Sequence, residues 1–236
     1  MRTKRNKNGF TLIEMVVVLA VISVLAAILF PTLAKHISDS KLTRATNECQ
    51  VITAAVMMLY KDTGKWPCTN EDGPSGRVNR VLSGAPTDPV PTSAAPGART
   101  GAALWGTYAG SKPLSDYLYF NNPDNETGTA SQNETGQDYS TSGESAWRGP
   151  YIDKQIYLDP WGNQYVINAR YFPGGTDSAS HTVLVLSAGK DGLWSTAFDD
   201  SINRLSPGGD GPLGPNIPES GYTHDDVGVV VTTNNN

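Results

Sequence analysis

Three carboxylates lie close together along residues 187–200, SAGKDGLWSTAFDD, at Asp191, Asp199 and Asp200. Calcium binds about six to eight oxygens, drawn from carboxylates and backbone carbonyls on a flexible loop. Further oxygens could come from the end of the strand predicted just before this stretch, at Leu186 and Ser187. The sequence therefore predicts a calcium-binding loop here. The alternative is a glycine-rich turn whose aspartates bond their own backbone.

No set of side chains in the sequence has the spacing of a catalytic centre. The chain shows no nucleophile–base arrangement and no phosphate-cradling loop. Its three histidines, His36, His181 and His224, have no ligand spacing with the two cysteines. We therefore expect neither an enzyme nor a zinc protein. The net charge of −5, with basic residues concentrated at the N-terminus, also argues against nucleic acid as a partner.

One charged side chain, Glu14, interrupts an otherwise apolar run over residues 10–30. As a helix this run would rise about 31 Å, which is enough to cross a bilayer core. A carboxylate costs roughly 2.5–3.5 kcal/mol at the centre of a membrane helix, so Glu14 is a candidate functional residue. Basic residues before the run and few after it predict a cytoplasmic N-terminus and a single membrane pass.

Three kinds of N-terminal segment fit this run. It could be a secretory signal peptide cut near residues 32–34, TLA, or a permanent anchor, but neither explains the carboxylate. The third kind comes from residues 7–14, KNGFTLIE, which resemble the cleavage motif of type IV pilins and of type II secretion pseudopilins. The resemblance implies cleavage between Gly9 and Phe10 by a prepilin peptidase, followed by methylation of the new N-terminus at Phe10.

Removal of the leader, residues 1–9, would give Glu14 a physical role. It would create an amine on Phe10 at one end of an apolar helix, where low dielectric strengthens the attraction between opposite charges. Glu14 of a neighbouring subunit can pair with that amine, which offsets the desolvation cost of both groups and sets the axial register between subunits. Glu14 could instead pair with the amine of its own chain, because positions i and i+4 are neighbours on a helix.

A second helical pattern follows the apolar run, over residues 31–64. Its apolar positions step by three and four residues, as one face of an amphipathic helix requires. They are Leu42, Ala45, Cys49, Ile52, Val56 and Leu59. Gly64 suits the C-terminal cap, and Pro31 predicts a kink where the two halves of the helix meet. We expect the apolar stripe to pack on the chain's own sheet, with a coiled coil as the alternative.

Residues 68–146 have the composition of a variable, loop-rich insertion. Glycine and proline are frequent, and N-x-T acceptor patterns begin at Asn125 and Asn133. A solvated loop is the preferred interpretation of both patterns. Two short apolar stretches, residues 102–108 and 114–120, are expected to pack on the body. We interpret the remainder of the segment as decoration of the protein surface.

Regular structure is predicted again over residues 147–236. The stretch DPWGNQY, residues 159–165, contains Gly162 and Asn163, which suit the positive φ angles of a turn. It resembles the signature before the sheet of the major pseudopilin of type II secretion. Three strands are predicted, at residues 165–172, 181–187 and 226–232. The predicted fold is α+β and pilin-like, with a long N-terminal helix packed on a small antiparallel β-sheet and a loop-rich C-terminal region.

The resemblance implies a structural role for the whole chain. It implies a subunit of a type II secretion pseudopilus, anchored in the inner membrane with a periplasmic body, that polymerises through its N-terminal helix to drive export of folded proteins. The filament would lie in the periplasm and could reach the cell surface. Residues 187–200 are similar to the calcium loop of the major pseudopilin, which makes calcium the implied cofactor.

The implied partners are further copies of the chain, minor pseudopilins, the prepilin peptidase, and an inner-membrane assembly platform with its ATPase. Two alternatives remain for the function. The chain could be a subunit of a type IV pilus or a related extracellular filament. It could also belong to a different class, as a membrane-anchored periplasmic module that binds a ligand through residues 68–146.

Overall fold

The computed structural model describes residues 10–68, 78–85, 87–94, 101–123, 139–153, 158–177, 181–196, 198 and 226–233. Its elements in chain order are α1 (Leu12–Thr63), β1 (Arg80–Leu82), α2 (Leu104–Thr107), β2 (Ser111–Pro113), a π-helical turn (Asp116–Phe120), β3 (Val166–Ile167), a 3-10 turn (Ala169–Tyr171), β4 (Thr182–Ser187) and β5 (Val227–Thr233). The chain forms two compact units, Met1–Lys41 and Leu42–Asn236, and α1 contributes residues to both.

The helix α1 continues through Pro31 and ends where the sequence predicts. Proline has no N–H to donate to the carbonyl four residues earlier, so the helix is locally weaker at that turn. At the C-terminus Gly64 has a φ of 70°, and its amide donates to the Tyr60 carbonyl at 2.8 Å. Glycine adopts this left-handed conformation without strain. The predicted end of the helix is therefore confirmed, while the kink at Pro31 stays a prediction.

The part of α1 that lies in the second unit packs its apolar stripe into the core. Five of the six predicted stripe positions are buried, namely Ala45, Cys49, Ile52, Val56 and Leu59. The sixth, Leu42, is 40% exposed. The helix residues from Cys49 onward share one hydrophobic cluster with strand residues such as Val81, Val166 and Val185. Packing of this stripe on the chain's own sheet is therefore confirmed.

Five strands form one sheet in the order β2-β1-β3-β4-β5. The pairs β1–β3, β3–β4 and β4–β5 are antiparallel, whereas β1 and β2 run parallel. The predicted antiparallel sheet is thus mixed, because the long connection over residues 83–110 leaves room for the crossover that parallel pairing needs. The α+β class is confirmed.

The segment 68–146 contributes to the body itself. It supplies both β1 and β2, and its side chains Trp105 and Tyr117 are fully buried. The two apolar stretches that were expected to pack do so. The interpretation of the remainder as surface decoration is wrong for the two strands, which are too short to show an alternating pattern. Asn125 and Asn133 lie outside the described residues.

One predicted strand is much shorter than expected. Residues 165–172 were predicted as a strand, but β3 covers only Val166–Ile167 and a 3-10 turn follows it. The Asn168 side chain explains the interruption. Its amide donates to the carbonyls of Thr182 and Phe198, and its oxygen accepts the Leu184 amide at 2.8 Å. Hydrogen bonds from this side chain thus replace the backbone hydrogen bonds between strands at this point. The predicted strands at 181–187 and 226–232 are confirmed as β4 and β5.

Candidate functional site

The first turn of α1 holds Glu14 in a reciprocal capping arrangement. The amide and hydroxyl of Thr11 both donate to Glu14 Oε2, at 2.8 and 2.7 Å, and the Glu14 amide donates to Thr11 Oγ1 at 3.4 Å. This arrangement satisfies N–H groups that lack partners inside the helix. The sequence analysis missed Thr11, although the T-x-x-E spacing is the recognised signal for such a cap.

The cap leaves part of the carboxylate available. Both donations from Thr11 end on Oε2, and Oε1 accepts no hydrogen bond from the residues that the structure describes. Phe10, one residue before the cap, is exposed. Gly9 and the rest of the predicted leader lie outside the described residues, so the cleavage site stays a prediction. The geometry allows Glu14 to hold the helix start and still accept a cation on its other oxygen.

An exposed apolar surface extends along α1 from this cap. Large side chains from Phe10 to Ile37 are exposed, including Leu12, Leu19 and Phe30. The most apolar 18-residue window of α1 has none of its residues buried, and the helix is long and apolar enough to cross a membrane. Contiguous apolar surface of this size marks a contact with a membrane or with another protein.

A chain of hydrogen bonds ties α1 to the sheet in the second unit. Glu48 accepts the Arg44 guanidinium through Oε1 at 2.8 Å and the Tyr165 hydroxyl through Oε2 at 2.6 Å. Burial, together with the bond to Glu48, raises the pKa of Tyr165 well above its usual value. The hydroxyl therefore stays protonated and acts as the donor. Trp161, four residues before Tyr165, is only half-buried.

Replacing Tyr165 with phenylalanine is expected to lower the free energy of unfolding by about 1–2 kcal/mol, since it removes a hydrogen bond to a charged acceptor. Tyr119→Phe is the matched control, because the half-buried Tyr119 has a ring contact with Phe120 and no hydroxyl bond within the described residues. Urea titration of the full chain in detergent measures both changes. Equal losses in the two variants would contradict a role for the Glu48 contact.

The DPWGN turn, which lies just before Tyr165 in the chain, is bonded to the end of β4. Asp159 is buried, and its Oδ1 accepts the amides of Trp161 and Asn163, both at 2.9 Å. Its Oδ2 accepts the Ser187 hydroxyl at 2.6 Å. Gly162 has the predicted positive φ of 97°, but Asn163 does not, so that part of the turn prediction is wrong. The turn is instead closed by the Asp159 carboxylate, which accepts the two backbone amides.

The loop after β4 contains the described part of the predicted calcium site. The Ser187 hydroxyl, besides donating to Asp159, accepts the Gly189 amide at 3.1 Å. The Ser187 hydroxyl thus already makes one donated and one accepted hydrogen bond, so its carbonyl is the better candidate metal donor. Asp191 accepts the Leu193 amide at 2.8 Å, which is the backbone bond that the alternative turn interpretation predicts.

The structure leaves the calcium prediction untested. Asp199 and Asp200 lie outside the described residues. Within the described ranges, no three acidic, histidine or cysteine side chains come together as a metal-binding group. Of the predicted ligands, Leu186 and Ser187 end β4 and Asp191 follows in the same loop.

A buried carboxylate that the sequence analysis missed reaches this loop from the last strand. Asp226 precedes β5 and is 9% exposed. Its Oδ2 accepts the amides of Ser195 and Thr196, at 2.9 and 2.7 Å. Burial raises the pKa of Asp226 to about 6, the bonds from Thr196 and Ser195 oppose that rise, and the charge of Asp191 adds to it. A lone aspartate at the start of an apolar strand gives no sequence signal of such a contact.

Comparisons with known proteins agree with these features. Residues 4–30 match the family model of the prokaryotic N-terminal methylation motif, which includes the Gly9–Phe10 junction. Residues 118–203 match the model of type II secretion system protein G, which includes β3, β4 and the DPWGN turn. In these two parts the chain is similar to pilin-like proteins that carry the N-terminal methylation motif and to type II secretion system protein G.

Individual relatives of the chain include both pilins and secretion proteins. The fimbrial protein EcpC of Eikenella corrodens is 39% identical over 67 residues, which are 28% of this chain and 44% of that protein. The type IV major alpha-pilin of Moraxella bovis is 36% identical over 87 residues, 37% of this chain and 54% of that protein. Type II secretion system core protein G of Pseudomonas aeruginosa is 34% identical over 68 residues, which are 29% of this chain and 48% of that protein.

The matched parts are limited in length. The chain spans about half the length of the curated relatives it matches. No solved structure matches it significantly. The relatives therefore support a pilin-like class, and the assembly and partners of this chain are argued from its own residues.

Proposed function

We propose that this protein is a structural subunit of a type II secretion pseudopilus and polymerises through the N-terminal part of α1 to drive export of folded proteins from the periplasm. The observation that carries the proposal is the exposed apolar surface of α1, which begins at the Thr11–Glu14 cap. A surface of this kind needs lipid before assembly and other copies of the helix afterwards. The match to protein G favours the secretion system over other filaments.

Processing and pairing would proceed at the start of α1. A prepilin peptidase cuts between Gly9 and Phe10, and the new amine of Phe10 is methylated. The amine then pairs with Glu14 of a neighbouring subunit, on the Oε1 atom that the Thr11 cap leaves open. This pair sets the register between subunits. Further partners are minor pseudopilins, the peptidase, and an inner-membrane platform with its ATPase.

Pro31 would allow α1 to adapt as subunits pack. The helix continues through Pro31, but the turn before it lacks one backbone hydrogen bond. A kink or local melting therefore costs less there than elsewhere in α1. The apolar segment before it would lie in the inner membrane, with the second unit in the periplasm.

Calcium is proposed as the ion of the loop after β4. The residues would be Asp191, Asp199 and Asp200 through carboxylates, and Leu186 and Ser187 through carbonyls. The described part of the loop fits a hard cation, because its donors are oxygens and the nearby Asp226 adds a buried carboxylate to the exposed Asp191. Bound calcium supplies positive charge that holds these oxygens together, and the chain's own residues form the loop around it.

The second candidate is a subunit of a long type IV pilus, which the similarity to pilins of Moraxella and Eikenella favours. Deletion of the gene in its native host separates the two. Loss of a pseudopilus subunit leaves exported proteins trapped in the periplasm, while surface pili stay normal. Loss of a pilin removes the pili and leaves secretion intact. Quantifying the culture supernatant, the periplasm and the sheared surface fraction decides between them, and loss of pili alone would contradict the proposal.

A further inference from the structure

Two buried oxygens without hydrogen-bond partners belong to two directly hydrogen-bonded residues, Asp226 and Ser195, where β5 meets the loop after β4. Asp226 uses Oδ2 for the amides of Ser195 and Thr196, but its Oδ1 is buried and has no partner among the residues that the structure describes. The Ser195 hydroxyl, on a residue 4% exposed, is likewise buried without a partner in those ranges. The two residues are joined by the bond from the Ser195 amide to Asp226.

Buried oxygens without hydrogen-bond partners indicate that a ligand binds them. A buried polar group without a hydrogen-bond partner lowers the stability of the fold, and a charged one lowers it more. No lysine, arginine or histidine within the described residues forms an ion pair with Asp226, and the charge of Asp191 adds a repulsion. A cation would relieve both costs at once.

The donor set indicates the class of cation. Asp226 and Ser195 offer oxygen only, and so does Asp191 in the same loop. Oxygen ligands from carboxylates and hydroxyls suit calcium rather than zinc, which prefers sulfur and nitrogen. A ligand from a different strand would also close the long loop between Ser195 and Asp226, because one ion would bind residues at both ends of that loop.

We propose that Asp226, with the Ser195 hydroxyl beside it, is a ligand of the calcium ion of the loop after β4, so that the ion fastens the start of β5 to that loop. This inference rests on the proposed calcium site and adds a ligand from outside residues 187–200. Because β5 is the outer strand of the described sheet and pairs with β4 there, its start gains most from such a tie. The ion thus becomes part of the attachment of the C-terminal strand.

The test is calcium binding to the full chain in detergent, measured by calorimetry with calcium chloride. Asp226→Asn keeps an acceptor for the two backbone amides and removes the charge, so it isolates the ligand role. We expect it to weaken calcium binding at least about tenfold, and Ser195→Ala to weaken it several-fold. Asp153→Asn, an exposed carboxylate with no contact to this loop in the described residues, is the control and should bind as the unaltered chain does.

The outcomes separate this inference from the calcium proposal itself. If the unaltered chain binds calcium and Asp226→Asn binds equally well, the loop is a calcium site and Asp226 is not its ligand, which overturns the inference alone. If the unaltered chain binds no calcium, both are overturned. Circular dichroism without calcium checks folding. Should Asp226→Asn fail to fold, Ser195→Ala decides in its place, because its hydroxyl makes no described bond whose loss would unfold the chain.

Discussion

Replacing Glu14 with alanine is expected to abolish filament assembly while the chain still inserts into the membrane. Insertion should become easier, since a charge is removed from an apolar segment. The helix start loses the two bonds to the Glu14 carboxylate and keeps the one from the residue 14 amide to Thr11 Oγ1, so the cost stays below about 2 kcal/mol, too little to unfold a helix of 52 residues. Assembly fails because the amine of the neighbouring Phe10 has no counter-charge. Sheared filaments, counted by electron microscopy and immunoblot against the membrane-bound pool, measure this result.

Glutamine at the same position separates the two roles of Glu14. Glu14→Gln keeps an acceptor for the Thr11 amide and hydroxyl, so the cap survives, but it removes the charge. We expect it to be as defective as Glu14→Ala. Normal assembly of the glutamine variant would show that the cap is the whole role of Glu14 and would contradict register pairing. Unchanged function in both variants would favour a membrane-anchored binding module instead.

Replacing Trp105 with alanine is expected to have the largest effect on the stability of the body. Trp105 is fully buried, with its ring 5.7 Å from Trp194 and 5.0 Å from Phe198. Its Nε1 also donates to the Thr196 carbonyl at 3.0 Å. Truncation of a buried tryptophan creates a cavity and costs about 3–5 kcal/mol of unfolding free energy. Denaturant unfolding in detergent, followed by tryptophan fluorescence, measures the loss.

The control for this prediction is Trp161→Ala, which truncates the same kind of side chain at a half-buried position. It should lower the unfolding free energy distinctly less than Trp105→Ala does. If the two variants lose the same stability, residues 101–123 are attached to the surface and do not form part of the core. A larger loss of unfolding free energy in Trp105→Ala than in Trp161→Ala would establish that the segment 68–146 is integral to the fold, because Trp105 lies within it.

The long elements of this fold were predictable because each shows many periods of its pattern. The stripe from Ala45 to Leu59 repeats often enough to fix the face of α1 that is buried, and β4 carries an unbroken apolar run. Strands β1 and β2 have three residues each and pair in parallel through a distant crossover, so local sequence contains no signal for them. Strand β3 ends early because one side chain, Asn168, bonds to three backbone groups that lie far away in sequence.

The candidate sites also divide into residues that a local sequence pattern reveals and residues that only distant contacts bring together. Glu14 was found from sequence because a charge inside an apolar run is conspicuous, and its partner Thr11 could have been found from the capping pattern. Asp226 could not be found, since its contacts with Ser195 and Thr196 arise only when β5 pairs with β4. Tertiary contacts between distant segments bring these residues together, and no local spacing encodes them.

The mass of the intact protein and of its N-terminal peptide, taken from its native membrane, tests assembly through a processed helix most directly. We predict a chain that begins at an N-methylated Phe10, because the amine created there is the partner that Glu14 requires. A chain that begins at Lys35 would instead be a soluble secreted protein, and an uncut chain that begins at Met1 would be a simple anchor. Either of these two starts would contradict the assembly mechanism.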